Sequence, residues 1–186
     1  MDENIKLLKK SSIRARFAMG IICMKRAFRE KNIHQTYEAY IISKKISQPL
    51  ISDDFCIWDE ELKAYILSDE FENAEEIICF LIDLKENRTK QLSFEIFDED
   101  VYSSLIEFYK SIDEELKELI YQCSSIVANH LYCGYCEKDS IDPLLDLLNK
   151  TEMWSKFDFF QIAKNYPFHQ DDEWGEKFEF DSFKRR

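Results

Sequence analysis

Four residues have the types and spacing to hold a metal ion: Cys123, His130, Cys133 and Cys136. The run His-x-x-Cys-x-x-Cys offers soft ligands at zinc-like intervals, and Cys123 stands seven residues, about two helical turns, before His130. Zinc modules usually present two separated ligand pairs on glycine-rich knuckles. Here three of the four candidates fall in or just after a helix that has its own apolar stripe. Packed thiols and a helix-end histidine are therefore the preferred reading, and neither a metal nor any other cofactor is expected.

The run Cys133-Gly134-Tyr135-Cys136 also has the form of an active dithiol, which needs a helix N-terminus behind a strand to activate its thiolate. A helix precedes it instead, Gly134 reads as that helix's C-cap, and no βαβ pattern surrounds it. His34, His130 and His169 are the only histidines, and none has a Ser, Asp or Cys partner at a spacing diagnostic of a triad. There is no His-Glu-x-x-His, and three glycines leave little material for a phosphate-binding loop. Catalysis is not expected.

The elements that must position these residues read as helices. Ile13, Phe17, Ile21, Met24 and Phe28 recur at helical spacing after Ser12, a good N-cap, with Arg14, Arg16, Lys25 and Arg29 on the opposite face. A second helix runs from about Ile33 through Tyr37, Tyr40, Ile41 and Lys44, and Pro49 stops it. Trp58 to Leu67 and Asn73 to Leu84 give a third and a fourth. The stretch from Asp98 to about Tyr132 is too long for one ordinary helix, and Ser111 with Glu114 splits it as a capping box. Asp142-Pro143 reads as an N-cap and first helical residue, and a last helix covers about 155–165, ended by Pro167. Ser93 to Phe97 and Lys177 to Asp181 alternate, leaving room for one minor two-stranded extended pair. The expectation is a single all-α domain over 1–186, a bundle of six to nine helices, with 170–186 as a terminal loop or tail. Its core should hold Phe17, Ile21, Met24, Ile78, Leu81, Leu105, Leu116 and Leu145.

Composition narrows the function. With 186 residues, 45% hydrophobic, and only 3 Gly and 3 Pro, the chain is neither collagenous nor low-complexity nor a turn-rich sandwich. The longest apolar run, Ala18 to Met24, is far below the roughly 20 residues of a membrane-spanning helix. Asp2 and Glu3 at the start do not suit a secretory leader, so the expected location is the cytosol, with all six cysteines reduced. The net charge of −12 argues against general nucleic-acid affinity, which requires cationic side chains. Charge is also unevenly placed: residues 1–31 carry +6 and the remainder about −18. Ten acids stand against one Lys between Asp53 and Glu76, and nine against two between Glu95 and Glu118. Such blocks are either solvated helix faces or a patch made for a basic partner.

Arg14-Ala15-Arg16-Phe17-Ala18, followed by Cys23 and Arg26 and then by Trp58-Asp59-Glu60-Glu61-Leu62-Lys63-Ala64-Tyr65, resembles the all-α acidic immunity proteins encoded beside bacterial polymorphic and contact-dependent toxins. The resemblance spans about residues 12–80. It implies a cytosolic protein that binds one cognate toxin domain and blocks it, without catalysis of its own. Toxin domains that cut nucleic acid are typically basic, so an acidic surface is the complementary partner. The best-placed contact residues are Asp59, Glu60, Glu61, Asp69, Glu70, Glu72, Glu75 and Glu76. Trp174, in the polar run from Asp171 to Glu176, either pins the tail or reaches the partner. The competing readings are a small helical enzyme, metal-dependent through Cys123 to Cys136, and a defence or anti-defence adaptor that imitates nucleic-acid charge. Metal analysis of the purified protein separates the first of these. The expected result is folding without metal, whereas stoichiometric zinc with unfolding by a chelator would promote His130, Cys133 and Cys136 to ligands.

Overall fold

The computed structural model describes residues 2–66, 70–87, 96–133, 137–155, 157–168 and 174–178. Among them the chain forms α1 (Asp2–Lys9), α2 (Ile13–Glu30), α3 (Tyr37–Ile46), α4 (Phe55–Ile66), α5 (Ala74–Asn87), α6 (Glu99–Ser111), α7 (Glu114–Cys133), α8 (Glu137–Lys150) and α9 (Phe157–Asn165). Short 3-10 turns lie at Gln48–Leu50 and Met153–Ser155. The protein is all-α. The described residues contain no strand, and one isolated bridge joins Ser11 to Pro167. Ser93 to Glu95 and Glu179 to Asp181 lie outside the described residues, while Ile96, Phe97, Lys177 and Phe178 are not paired as strands.

Helix α2 is the axis of the molecule. Ser12 caps it by accepting a hydrogen bond from the Ala15 N–H at 3.3 Å, and every residue from Ser11 to Ile21 is buried. A helix covered on all sides must be enclosed by other elements, and α7 and α8 lie along it while α9, α3 and the Gln48–Leu50 turn close the rest. Gly20 sets the closeness of that contact. A Cβ there would stand 2.5 Å from Ile126 Cδ1 and 3.4 Å from Leu147 Cδ1, inside van der Waals contact.

The expectation of a basic solvent face on α2 is corrected by this burial. Arg14 and Arg16 are only 3% and 1% exposed, because their guanidiniums serve as internal hydrogen-bond donors. Arg16 donates from Nε to the Leu8 carbonyl at 3.1 Å, from Nη2 to the Lys9 carbonyl at 3.1 Å and from Nη1 to Ser140 Oγ at 2.7 Å. It thereby ties carbonyls at the C-terminal end of α1 to α8.

Other boundaries follow local chemistry. Thr36 caps α3, and Asp98 caps α6. The long stretch does divide, but at Ile112, whose φ of −84° and ψ of 154° leave the helical region. The cap of α7 is Asp113, which accepts from the Leu116 N–H at 2.9 Å, rather than Ser111, whose hydroxyl donates back to the Phe108 carbonyl. Pro143 lies inside α8 rather than at its start. It falls in the second turn, where the missing N–H removes one hydrogen bond and the helix continues. Of the eight expected core residues, Ile78 and Leu145 are only half-buried. They flank the stripes Ala74-Ile77-Leu81 and Ile141-Leu144-Leu148, which form the buried faces.

Helices α3 and α4 are joined by a buried ion pair between Lys45 and Glu61. The Lys45 ammonium lies 5.1 Å from the centre of the Tyr65 ring, and the Lys45 carbonyl accepts from Trp58 Nε1 at 2.9 Å. Burial pushes the Glu61 carboxyl up and the Lys45 ammonium down, with their mutual attraction opposing both shifts. Removing one partner leaves an uncompensated charge in the core. Glu61→Ala is therefore expected to cost about 3–5 kcal/mol in urea denaturation, and Lys45→Met with Glu61→Leu to recover most of it. A loss below about 1 kcal/mol for the single change would show that the pair is not buried as described.

Candidate partner interface

The acids named from the sequence divide into three groups in space. Asp59 and Glu61 are 8% and 3% exposed, which corrects their assignment to a contact surface. Their positions explain it: Glu61 follows Trp58 by three residues and precedes Tyr65 by four, and Asp59 shares the stripe of Phe55, Leu62 and Ile66. Glu60 is half-buried between them. Asp69 lies outside the described residues. Glu70, Glu72, Glu75 and Glu76 are exposed where α4 hands over to α5. Glu76 has a local task, accepting from the Glu72 N–H at 2.8 Å while Asn73 accepts from its own N–H.

The exposed group is larger than the sequence reading gave. Along α5, Glu75, Cys79, Ile82 and Glu86 recur at intervals of three and four and all face water. Helix α6 packs beside α5 and exposes Asp98, Glu99, Asp100 and Glu107. Residues 70–87 and 98–111 together hold ten acids and two lysines, a net −8 on two adjacent helices. Helix α3 also touches α6, joined to it by a hydrogen bond from Ser104 Oγ to the Glu38 carboxylate. Tyr37 and Tyr40, through which the sequence traces this helix, are 54% and 58% exposed, since Ala39, Ile42 and Ile46 form the inward face.

The acids of α7 behave differently because each has a cation. Lys31 Nζ lies 2.7 Å from Asp113 and 3.4 Å from Glu115, Lys117 lies 3.0 Å from Glu114, and Lys150 lies 2.6 Å from Glu118. Among the described residues no such pair forms at Glu70, Glu72, Glu75, Glu76 or Glu86. The second acidic block is therefore neutralised at its α7 end, Glu107 on α6 pairs with Lys110 at 3.3 Å, and the least compensated negative field lies at Glu70, Glu72, Glu75, Glu76 and Glu86.

Of the candidate metal ligands, only Cys123 has a described side chain. Cys123 is fully buried, and its sulfur lies 3.6 Å from where a Gly20 Cβ would be. Burial raises its thiol well above the usual range and pushes the neighbouring Cys23 up to about 12, so both stay protonated. His130 and Cys133 lie in the last turns of α7 with side chains outside the described atoms, and Cys136 lies outside the described residues. Among the described residues no group of three His, Cys, Asp or Glu is placed to hold a metal ion. No described helix is long and apolar enough to cross a membrane.

Trp174 is half-buried, with its ring stacked on Phe55 at 3.8 Å between centroids and 13° between planes. It pins the 174–178 segment to the body and is not a free anchor on the acidic face. No protein-family model, curated protein or solved structure matches the chain.

Lys31 holds the Asp113 carboxyl below the usual carboxylate range, with the Leu116 N–H adding to the effect. A carboxylate whose folded pKa lies below its unfolded value gives stability that is complete above the unfolded pKa and lost as pH falls through the folded one. Lys31→Met should move Asp113 up toward the ordinary value of about 3.9, read by carboxyl NMR titration, and should raise the pH at which the α7 cap fails. An unchanged Asp113 titration would show that Lys31 is not the cause.

Proposed function

We propose that this chain is an immunity protein that acts in the cytosol by binding a cognate toxin domain, a basic one that cuts nucleic acid, and blocking it without catalysis of its own. The observation that carries the reading is the cluster Glu70, Glu72, Glu75, Glu76 and Glu86, exposed before and along α5 and without a cation among the described residues. Acids held for solubility alone need no such segregation, yet the α7 acids are paired with lysines and these five are not. A basic groove that receives nucleic acid is complementary to this face, and capture is fast when opposite fields steer the encounter. The exposed Ile82 within the stripe, and Tyr37 and Tyr40 on α3, add apolar contact area of the kind that anchors an interface. The residues that carry the family resemblance, Arg14 to Ala18 and Trp58 to Tyr65, are mostly interior. They support a shared architecture and leave the contact surface to α5 and α6.

The test is charge reversal at Glu70, Glu72, Glu75 and Glu86, sparing Glu76 because of its local hydrogen bond. The partner is the toxin domain encoded beside this chain's gene. The four-Lys variant should associate at least about tenfold more slowly and show a weaker salt dependence. Its stability should fall by no more than about 0.5 kcal/mol per site. Association at the parental rate, with unchanged salt dependence, would remove α5 from the interface.

A further inference from the structure

The segment Trp174-Gly175-Glu176-Lys177-Phe178 lies in a groove whose walls are Ser12, Arg14, Leu50, Asp53, Phe55 and Tyr166. Four of its five residues are recognised individually. The Trp174 ring stacks on Phe55, and its carbonyl accepts from the Arg14 N–H at 3.1 Å, at the N-terminal end of α2. The Gly175 carbonyl accepts from Arg14 Nη1. Gly175 has a φ of 77°, and a Cβ there would stand 2.5 Å from the Ser12 hydroxyl oxygen, so only glycine fits on both counts. Glu176 is exposed. Lys177 pairs with Asp53. The Phe178 N–H donates to the Leu50 carbonyl at 2.9 Å, and its buried ring stacks on Tyr166 at 4.2 Å and 23°.

The walls are held by contacts in which the segment takes no part. Arg14 is fixed from Nε by the Pro49 carbonyl at 3.0 Å and from Nη2 by the Ser52 carbonyl at 3.1 Å. The Ser12 N–H donates to the Tyr166 carbonyl at 3.0 Å. Phe55 belongs to α4. These contacts hold Ser12 and Arg14 independently of the segment, which sits against them as a peptide ligand sits in a receptor, with main-chain hydrogen bonds for affinity and side-chain positions for selection.

We propose that this groove is a peptide-binding site, filled in cis by residues 174–178, and that it accepts a linear segment of a partner protein with the pattern aromatic-Gly-any-Lys-aromatic. Each position follows from a wall: Phe55 for the first aromatic, Ser12 for the glycine, Asp53 for the cation and Tyr166 for the last aromatic. A tethered ligand has an effective concentration of the order of millimolar, so the native chain masks its own site until a competing segment is abundant or the strap is weakened. The site uses none of the acids of α5 and α6 and stands whether or not they bind a toxin.

The full chain carrying Gly175→Val tests this, because valine is excluded by the backbone conformation and by Ser12. The probe is a fluorescein-labelled peptide Trp-Gly-Glu-Lys-Phe with blocked ends, followed by anisotropy. Saturable binding at least about tenfold tighter to the variant than to the native chain is expected, weakened at least about tenfold when the peptide's Gly becomes Val or its Lys becomes Glu. Equal binding to both chains, or binding no better than a scrambled peptide, overturns the assignment. Should circular dichroism show the variant unfolded, the native chain labelled with 5-fluorotryptophan carries the test. Unlabelled peptide should then move the Trp174 fluorine resonance and leave those of Trp58 and Trp154 fixed. A Trp174 resonance unmoved at about millimolar peptide overturns the site.

Discussion

A guanidinium taken out of water must have its N–H groups satisfied, and that requirement organises one whole end of this molecule. Arg14 and Arg16 stand two residues apart in the first turn of α2, so their side chains leave the helix in different directions. One collects carbonyls from the turn after α3 and from the 174–178 segment, together with the Asp53 carboxylate. The other collects carbonyls from the end of α1 and a hydroxyl from α8. Segments distant in sequence are thereby fixed to a single helical turn. The apolar packing of Phe17, Ile21 and Met24 with α7 and α8 continues along α2 from that fixed end.

The same chain uses opposite strategies for its charges in different places. Interior cations are matched to carbonyls, to the Ser140 hydroxyl at Arg16, and to carboxylates at Arg14 and Lys45. Surface acids on α7 are matched to lysines from α2, α7 and α8. Among the described residues, Glu70, Glu72, Glu75 and Glu76 at the handover from α4 to α5 have no such matching. Self-repulsion there opposes compactness, and what the arrangement supplies in return is a long-range field on one side of the molecule.

Much of the fold is legible in the sequence. Ser12, Thr36 and Asp98 cap where short polar residues precede apolar periodicity, and the stripe of α2 is plain from Ile13 to Phe28. What periodicity conceals is the environment of a charged residue on an inward face. Arg14, Arg16 and Glu61 read as solvent-facing because their type is usually exposed, yet their partners are carbonyls and a lysine contributed by remote segments that no local pattern announces. For Glu61 a signal existed, since Trp58 three residues before it and Tyr65 four after it already define its stripe. The converse holds for Tyr37 and Tyr40, whose aromatic type suggests burial while the smaller Ala39 lies inside. The acidic blocks are legible as composition, and their pairing state is not, because ion pairs such as Lys31 with Asp113 join residues 82 apart.

The enclosure of α2 has a consequence for synthesis. This helix is complete at Glu30, whereas the helices that cover its longest contact, α7 and α8, are not complete until Lys150. At about 5–20 residues per second, its apolar surface waits on the order of ten seconds for a partner. Through that interval the nascent chain carries an unsheltered hydrophobic rod, and the two arginines beside it carry positive charge that later disappears into the interior. Productive folding around α2 thus waits on the arrival of α7 and α8, and the chain before them is a natural client for chaperones that shield apolar helices.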